Sequence, residues 1–334
     1  MDRNQSLSRY RCPVCASPLF TATVLGGEDS LICTEESCSH SQIVFPVYKS
    51  IPYLLPIGQE FCVASELMLP VADEPTGGYA YRVTSSSRIK RRILFQRLFY
   101  GLERAEQLNY EAVCELAPLR PRVLVIGGGN TDTSSSSALY WVRNLLRKDA
   151  EFEVTDIYYS PYVNCVSDAH YLPYDSHAFD LVIITTVLEH VVEPSKVVSE
   201  IYRILADGGV VYATVPFVQC VHEGAYDFTR FSLSGQRWLF RDFVEVSAGS
   251  FAGAFQSTLY NFSVSIQSLL RLPGAAVVIR ILLWRFCQLL DRLLPANARQ
   301  DVSMCNYFVG LKDVSSDKLL ASDLVTYYHT KSSR

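Results

Sequence analysis

Through the middle of the chain, short β-branched apolar runs alternate with stretches of helical periodicity. The run at 122–126 stops at Gly127, Gly128 and Gly129, and a serine-rich helical stretch follows over 134–146. Glycines at that point let the backbone pass close to a ligand at the carboxyl end of the strand, which is where open α/β sheets bind theirs. A second run, 152–156, ends in Asp156, an acid able to hold a ribose hydroxyl pair, with Ile157 after it. A third unit runs from 166 through Asp168 and Ala169 to Leu172-Pro173, and 179–184 is an uninterrupted apolar strand of the kind buried on both faces. After Val187-Leu188-Glu189-His190 come a helix predicted over 194–205, a turn at Asp207-Gly208-Gly209 and a strand at 210–216. Repeated β-α units of this length predict a doubly wound, mostly parallel sheet. Further strands are predicted near 243–246 and 306–312.

The front of the chain is organised differently. Cys12 and Cys15 bracket a tight Pro-Val turn, and Cys33 and Cys38 follow beyond a Gly26-Gly27 turn. Two close pairs at this separation can bring four thiolates to a tetrahedron around one zinc ion, and a segment of about 50 residues buries too little surface to fold without such help. The second pair is more widely spaced than usual, so His40 is an alternative fourth ligand. Four protein ligands leave no open position for chemistry, so the site reads as structural or as a docking surface. The tract through Phe45-Pro46-Val47 and Ile51-Pro52-Tyr53-Leu54-Leu55-Pro56 resembles the small zinc ribbon of the Trm112-like type over residues 10–57.

These patterns divide the chain into a zinc ribbon at 1–58, a linker and N-terminal helices at 59–118, an α/β domain at 119–313 and a polar tail at 314–334. A helical insertion is expected at 263–296. Within the linker region, Ile89, Ile93, Leu94, Leu98 and Leu102 recur at helical spacing, beside the basic run Arg88, Lys90, Arg91 and Arg92. Composition narrows the partners. The 334 residues are 49% hydrophobic and 19% charged, a globular balance. A net charge of −4 disfavours nucleic acid, since no global positive field is available to hold a phosphate backbone. The polar N-terminus leads into no apolar signal core and six of the ten cysteines are scattered singly, so a reducing, cytoplasmic setting is expected. The stretch 275–294 is too interrupted by charge to span a bilayer. On a helical wheel, Arg280, Arg285, Gln288, Asp291 and Arg292 gather on one side and leave a wide apolar arc. That arc needs a partner: the domain's own surface, a second subunit in a homodimer, or a peripheral membrane contact, with which Trp284 and the arginines are compatible.

Five ordered signatures carry a second resemblance. They are the glycine loop at 127–129, Asp156, Asp168-Ala169-x-x-Leu-Pro, Phe-Asp-Leu-Val followed by Val-Leu-Glu-His-Val, and the Glu200 to Gly209 segment. Together they make the tract 122–217 similar to a class I methyltransferase of the type 11 group. The resemblance implies a Rossmann-like fold closed by an antiparallel C-terminal hairpin and S-adenosylmethionine as cofactor. It also implies that Gly127, Gly128 and Gly129 pass beside the methionine moiety, Asp156 and Ile157 meet the ribose, Asp168 and Ala169 meet the adenine, and the backbone near Thr185 and Thr186 flanks the sulfonium. Two positions depart from the group: Val125 stands where most members carry an acid that contacts the methionine amino group, and Thr131 replaces the third glycine. A nicotinamide or flavin site is the alternative use of three glycines, but its spacing asks for glycine where Asp132 stands.

Methyl transfer needs an aligned nucleophile and, where that nucleophile must lose a proton, a base. His190 is the leading candidate base, with Glu189 beside it and His222 second; the competing reading is that Glu189-His190 only seats the next helix. Some relatives with Glu-x-x-Glu-His bind a divalent metal, but Thr186 replaces the first Glu, so no catalytic metal is expected. The segment from His222 through Tyr226, Asp227, Phe228, Arg230 and Phe231 resembles one in methyltransferases of glycan and secondary-metabolite assembly, so a small-molecule or glycan-type acceptor is expected. Equally, its aromatics could pack under the sheet while Asp227 pairs with Arg230. An RNA methyltransferase and a non-catalytic partner-binding module remain the alternatives.

Overall fold

The structure is a computed structural model that describes residues 7–23, 29–56, 58–59, 102–129, 138–146, 150–272 and 274–332. The basic run at 88–92, most of the predicted linker, the first half of the helix predicted before 116, and Thr131 and Asp132 lie outside the described residues. The chain divides into two compact units, one formed by 1–82, 117–184 and 191–209, the other by 83–116, 185–190 and 210–334.

In the first unit, β1 (Leu19–Thr23), β2 (Asp29–Cys33), β3 (Val44–Tyr48) and β4 (Ile51–Leu54) form an antiparallel ribbon. The hairpin between β3 and β4 turns on Lys49 and Ser50, both at positive φ (49° and 67°), the handedness that matches the twist of flanking strands in a two-residue turn. β4 does not end the sheet. It pairs in parallel with β7 (Cys165–Ser167), Tyr53 opposite Val166 and Leu54 opposite Ser167. From there the order is β7, β6 (Glu151–Asp156), β5 (Arg122–Ile126) and β8 (Phe179–Thr185), all parallel. The order reverses between β6 and β8 around β5, which makes the carboxyl end of β5 the topological switch point of a doubly wound sheet.

Polar contacts knit the N-terminal segment to this sheet. Buried Glu153 on β6 accepts from the Tyr10 hydroxyl at 2.7 Å and pairs with Arg9 at 3.0 Å. The Arg11 amide donates to the Pro173 carbonyl at 2.9 Å, and its guanidinium grips Asp175 at 2.7 and 2.6 Å. Helix α3 (Pro194–Ile204), numbered after α1 (Leu102–Leu116) and α2 (Ala138–Leu145), starts at Glu193, whose side chain accepts from the Ser195 amide, with proline at its first position. It buries Val197, Val198, Ile201 and Ile204, and its Arg203 donates to the carbonyls of Leu172 and Tyr174.

In the second unit, residues 210–216 of β9 (Leu205–Pro216) pair with β11 (Cys305–Leu311), which pairs with β10 (Val244–Phe251), both antiparallel. This is the expected C-terminal hairpin, with β10 longer than the sequence pattern indicates. Tyr110 of α1 is buried edge-on against Tyr212 at 5.1 Å. After α4 (Leu233–Leu239), the helical segment between β10 and β11 comprises α5 (Ala254–Leu270), α6 (Ala275–Leu293) and α7 (Ala296–Asp301), and α8 (Ala321–Ser332) follows β11.

Helix α6 departs in part from its helical wheel. Trp284 is 1% exposed and packs with Leu259 and Met304. Asp291, from the polar arc, is also buried and accepts from the backbone amides of Phe255 and Gln256 at 2.8 and 3.1 Å, capping α5 from a neighbouring helix. Gly253 permits this, because a β-carbon there would lie 2.6 Å from the Asp291 carboxyl carbon. Arg280 lies over the Tyr260 ring of α5 at 4.8 Å. Part of the polar arc, with Trp284, is therefore the packed stripe, while Leu282 (72%) and Leu293 (76%) are exposed among the described residues. Trp284, compatible in sequence with a lipid contact, is instead buried within the protein. No described helix is long and apolar enough to cross a membrane.

Replacing Asp291 by Ala leaves two amides of α5 without their acceptor and is expected to cost about 1–2 kcal/mol in denaturant unfolding. Arg285→Ala, an exposed change on the same helix, serves as the comparison and should stay within about 0.5 kcal/mol of the parent. Equal effects of the two would refute the capping role.

Candidate functional site

The glycine turn after β5 is closed by β6. The amides of Gly127 and Gly128 donate to the Thr155 carbonyl at 2.9 and 3.3 Å, and the Gly129 amide donates to Asp156 Oδ2 at 2.7 Å. Gly127 adopts φ +77°, a conformation that favours glycine. At Gly128 the reason for glycine is contact: a β-carbon would sit 2.4 Å from Val154 Cγ1. Asp156 Oδ1 also accepts from the Tyr158 amide at 3.0 Å. Burial raises the Asp156 pKa, opposed by the amides of Tyr158, Gly129 and Ile157. A carboxylate offers about four lone-pair positions, so the backbone donors leave Asp156 able to accept from a ligand hydroxyl.

Asp168 and Ala169 follow β7 and are both buried. Asp168 Oδ1 accepts from the His170 amide at 2.9 Å and lies 2.6 Å from His170 Nδ1. His170 Nε2 faces the Glu193 amide at 3.2 Å, a donor, so the ring carries its proton on Nδ1 and links Asp168 to the start of α3. His170 was not anticipated from sequence, although an acid two residues before a histidine is a local signal for such a bond. Thr185 and Thr186 close β8 and belong to the second unit. Thr186 adopts φ +51°, unusual for a β-branched residue, with its amide bound to the Thr214 carbonyl at 3.0 Å.

Beyond β8, three of the predicted residues converge. His190 Nε2 and His222 Nε2 are 3.0 Å apart, and Glu189 Oε1 lies 3.6 Å from the first and 3.8 Å from the second. Glu189 is fully buried, and neither carboxylate oxygen has a hydrogen-bond donor among the described residues. Burial pushes its pKa up to about 8. Both imidazoles are oriented from behind: His190 Nδ1 donates to the Tyr226 carbonyl at 2.8 Å, and His222 Nδ1 lies 3.4 Å from Asp227 Oδ2. The loop that holds them is pinned by Asp227, whose side chain is 1% exposed, pairs with Arg230 through both oxygens and accepts from the His222 amide at 3.0 Å. Burial and the neighbouring His190 lower the His222 pKa. Asp227 and Arg230 thus pair with each other instead of lining a pocket as free groups.

At the front of the chain the four predicted thiols also converge. All four Sγ atoms lie within 4.8 Å of one another, with Cys12 to Cys38 at 3.9 Å and Cys15 to Cys33 at 3.6 Å. A tetrahedron with metal–sulfur bonds of about 2.3 Å has edges of about 3.8 Å, so the donor set and spacing fit a tetrahedral metal. His40 is the donor of a backbone amide to Cys38 Sγ at 3.3 Å, and its ring stacks on Phe45, so Cys38 completes the set.

A doubly wound parallel sheet whose glycine turn closes on an acid ending the second strand is a Rossmann-like architecture. Residues 134–213 match the methyltransferase domain family, a stretch that contains Asp156, Asp168 and Glu189-His190 and begins after the glycine turn. The matched stretch is a methyltransferase domain. No curated protein matches the chain significantly. Among solved structures it is similar to the [4+2]-cyclase SpnF, at 16% identity over 64% of this chain and 83% of that one, TM-score 0.38. It is similar also to Haemonchus contortus phosphoethanolamine N-methyltransferase 2 bound to S-adenosyl-L-methionine, at 17% identity, TM-score 0.38, over 61% of this chain and 52% of that enzyme, about half its length. A complex of the Haloferax volcanii Trm112 methyltransferase activator with a protein assigned as a methyltransferase gives 17% identity, 69% and 97% coverage, and a TM-score of 0.41.

Gly128→Ala forces the buried Val154 side chain to move. It is expected to lower thermal stability by the equivalent of about 1–3 kcal/mol. An unchanged melting temperature would show that the turn has slack that the packing does not suggest.

Proposed function

We propose that the protein transfers a methyl group from S-adenosylmethionine to a small-molecule or glycan-type acceptor, and that its four N-terminal thiolates hold a structural zinc ion. The observation that carries the first part is the closure of the glycine turn on Asp156. A backbone free of side chains there can approach a ligand, and an acid already held by two amides needs no rearrangement to accept ribose hydroxyls. Bound S-adenosylmethionine supplies an electrophilic methyl group on a sulfonium. Gly127 to Gly129 then bear on its methionine end, Asp156 and Ile157 on its ribose, and Asp168 and Ala169 on its adenine, with Asp168 positioned by His170. The family resemblance assigns Thr185 and Thr186 to the sulfonium. On the acceptor side, His190 and His222 supply ring nitrogens in the loops after β8 and β9, and the Glu189 carboxyl lies beside both.

Acidic composition supports a small acceptor over nucleic acid, and several described cations are already committed: Arg11 to Asp175, Arg122 to Asp180, Arg203 to Glu200 and Arg230 to Asp227. The zinc reading makes the Trm112-like ribbon a scaffold in the same chain, because β4 extends the sheet that holds the glycine turn. The apolar side of α6 supports a contact with a second copy or a lipid surface, compatible with a cytoplasmic protein.

Calorimetric titration of the full chain with S-adenosylmethionine is expected to show binding that Asp156→Ala weakens at least tenfold, about 1.4 kcal/mol. Unchanged affinity in the variant would move the cofactor elsewhere. For the ribbon, cobalt substituted for zinc should give a thiolate-to-metal charge-transfer band that Cys33→Ser abolishes, and the same substitution should lower the melting temperature of the whole chain. A chain that folds normally and takes up no cobalt at its thiolates would remove the zinc.

A further inference from the structure

The geometry points to a second metal site: we infer that Glu189, His190 and His222 together bind one divalent first-row transition ion, leaving open positions for an oxygen ligand. The argument is a count of donors and acceptors. His190 Nδ1 faces a carbonyl and His222 Nδ1 faces a carboxylate, and both of those groups can only accept. With both Nδ1 atoms carrying the proton, the two Nε2 atoms present lone pairs to each other at 3.0 Å. Glu189 Oε1, buried and without a donor among the described residues, faces the same point from 3.6 and 3.8 Å. Three acceptors aimed at one point repel one another unless a proton or a metal ion lies between them, and a metal ion serves all three at once.

The distances suit an ion. Ligand bonds of about 2.1–2.2 Å at angles between 90° and 110° separate neighbouring donor atoms by about 3.0–3.6 Å, and the longest edge here exceeds that by only about 0.2 Å. Two imidazoles and one carboxylate select borderline ions such as zinc, iron(II), cobalt or manganese over magnesium or calcium, which take oxygen ligands. A shell behind the ligands is already built, as effective metal sites require: the Tyr226 carbonyl on His190, and Asp227, itself locked by Arg230, on His222. The histidine side chains are 20% and 26% exposed, which gives an ion a path from solvent and leaves its outer face open. Thr186 removes the first acid of a Glu-x-x-Glu-His pattern, and His222, 32 residues beyond His190, supplies a third donor in its place. That the open positions receive a hydroxyl oxygen of the methyl acceptor rests on the methyltransferase reading above. The ion itself rests on the triad alone.

The test uses the full chain with the ribbon's zinc retained, titrated with cobalt(II) by calorimetry and visible absorption. One further equivalent is expected, with weak d–d bands and no thiolate charge transfer. Glu189→Gln and His222→Ala should each weaken it at least about 100-fold at an unchanged melting temperature. His222 lies at the surface, so its variant keeps the measurement decisive if the buried substitution unfolds the chain. Binding of no ion beyond the ribbon's, or equal binding by parent and His222→Ala, overturns the site. S-adenosylmethionine titrated into the same variants separates the two claims. Cofactor binding without cobalt binding removes the metal and leaves the methyltransferase, whereas cobalt binding without cofactor binding keeps the metal and removes its role toward an acceptor.

Discussion

A buried carboxylate must find donors, and most of the tertiary organisation follows from how this chain meets that demand. Glu153 on β6 draws Tyr10 and Arg9 onto the sheet. Asp168 captures His170, Asp291 takes the first amides of α5, and Asp227 takes Arg230. An ionised group removed from water costs several kcal/mol unless such partners replace its hydration, so each of these pairs fixes the position of a segment distant in sequence or of a loop. Glu189 is the exception, since it is buried as deeply as any of them and meets two imidazole nitrogens instead of donors. These structural acids are satisfied, whereas Glu189, in the loop after β8, has no donor on either oxygen among the described residues.

The ribbon and the sheet are one hydrogen-bonded structure within the first unit. β4 gives β7 a parallel neighbour and so covers what would otherwise be an open edge. Arg11 and Tyr10 tie the segment just before Cys12 to the loop and strand beyond. A metal held by the four thiolates therefore bears on more than the ribbon, because the strand that leaves the second pair of ligands runs on through β3 into β4. The turn at Lys49 and Ser50 sets the register of that last strand, and with it which residues meet β7.

Helix α6 shows what a periodicity argument leaves out. A wheel assumes that charge marks the solvent side, and for Arg285 that holds. Asp291 and Arg280 instead find their partners on α5, an unsatisfied helix terminus and an aromatic ring, and these outweigh exposure. The leucines are left outward, which is why the face of this helix open to a partner is apolar.

The sequence by itself determined the alternation of strands and helices after residue 122, the glycine turn, the acid at the end of β6 and the two close cysteine pairs. These are local signals: a period of two or of 3.6, a residue type that a turn or a close contact requires, and a spacing short enough to be read along the chain. It also named Glu189, His190 and His222 as separate candidates. Only the tertiary structure brought His222 onto the other two, set His170 on Asp168, paired β4 with β7 and turned Trp284 inward. Each of these joins residues whose separation carries no period, so the partner is selected by the folded geometry and by the need to satisfy buried charge.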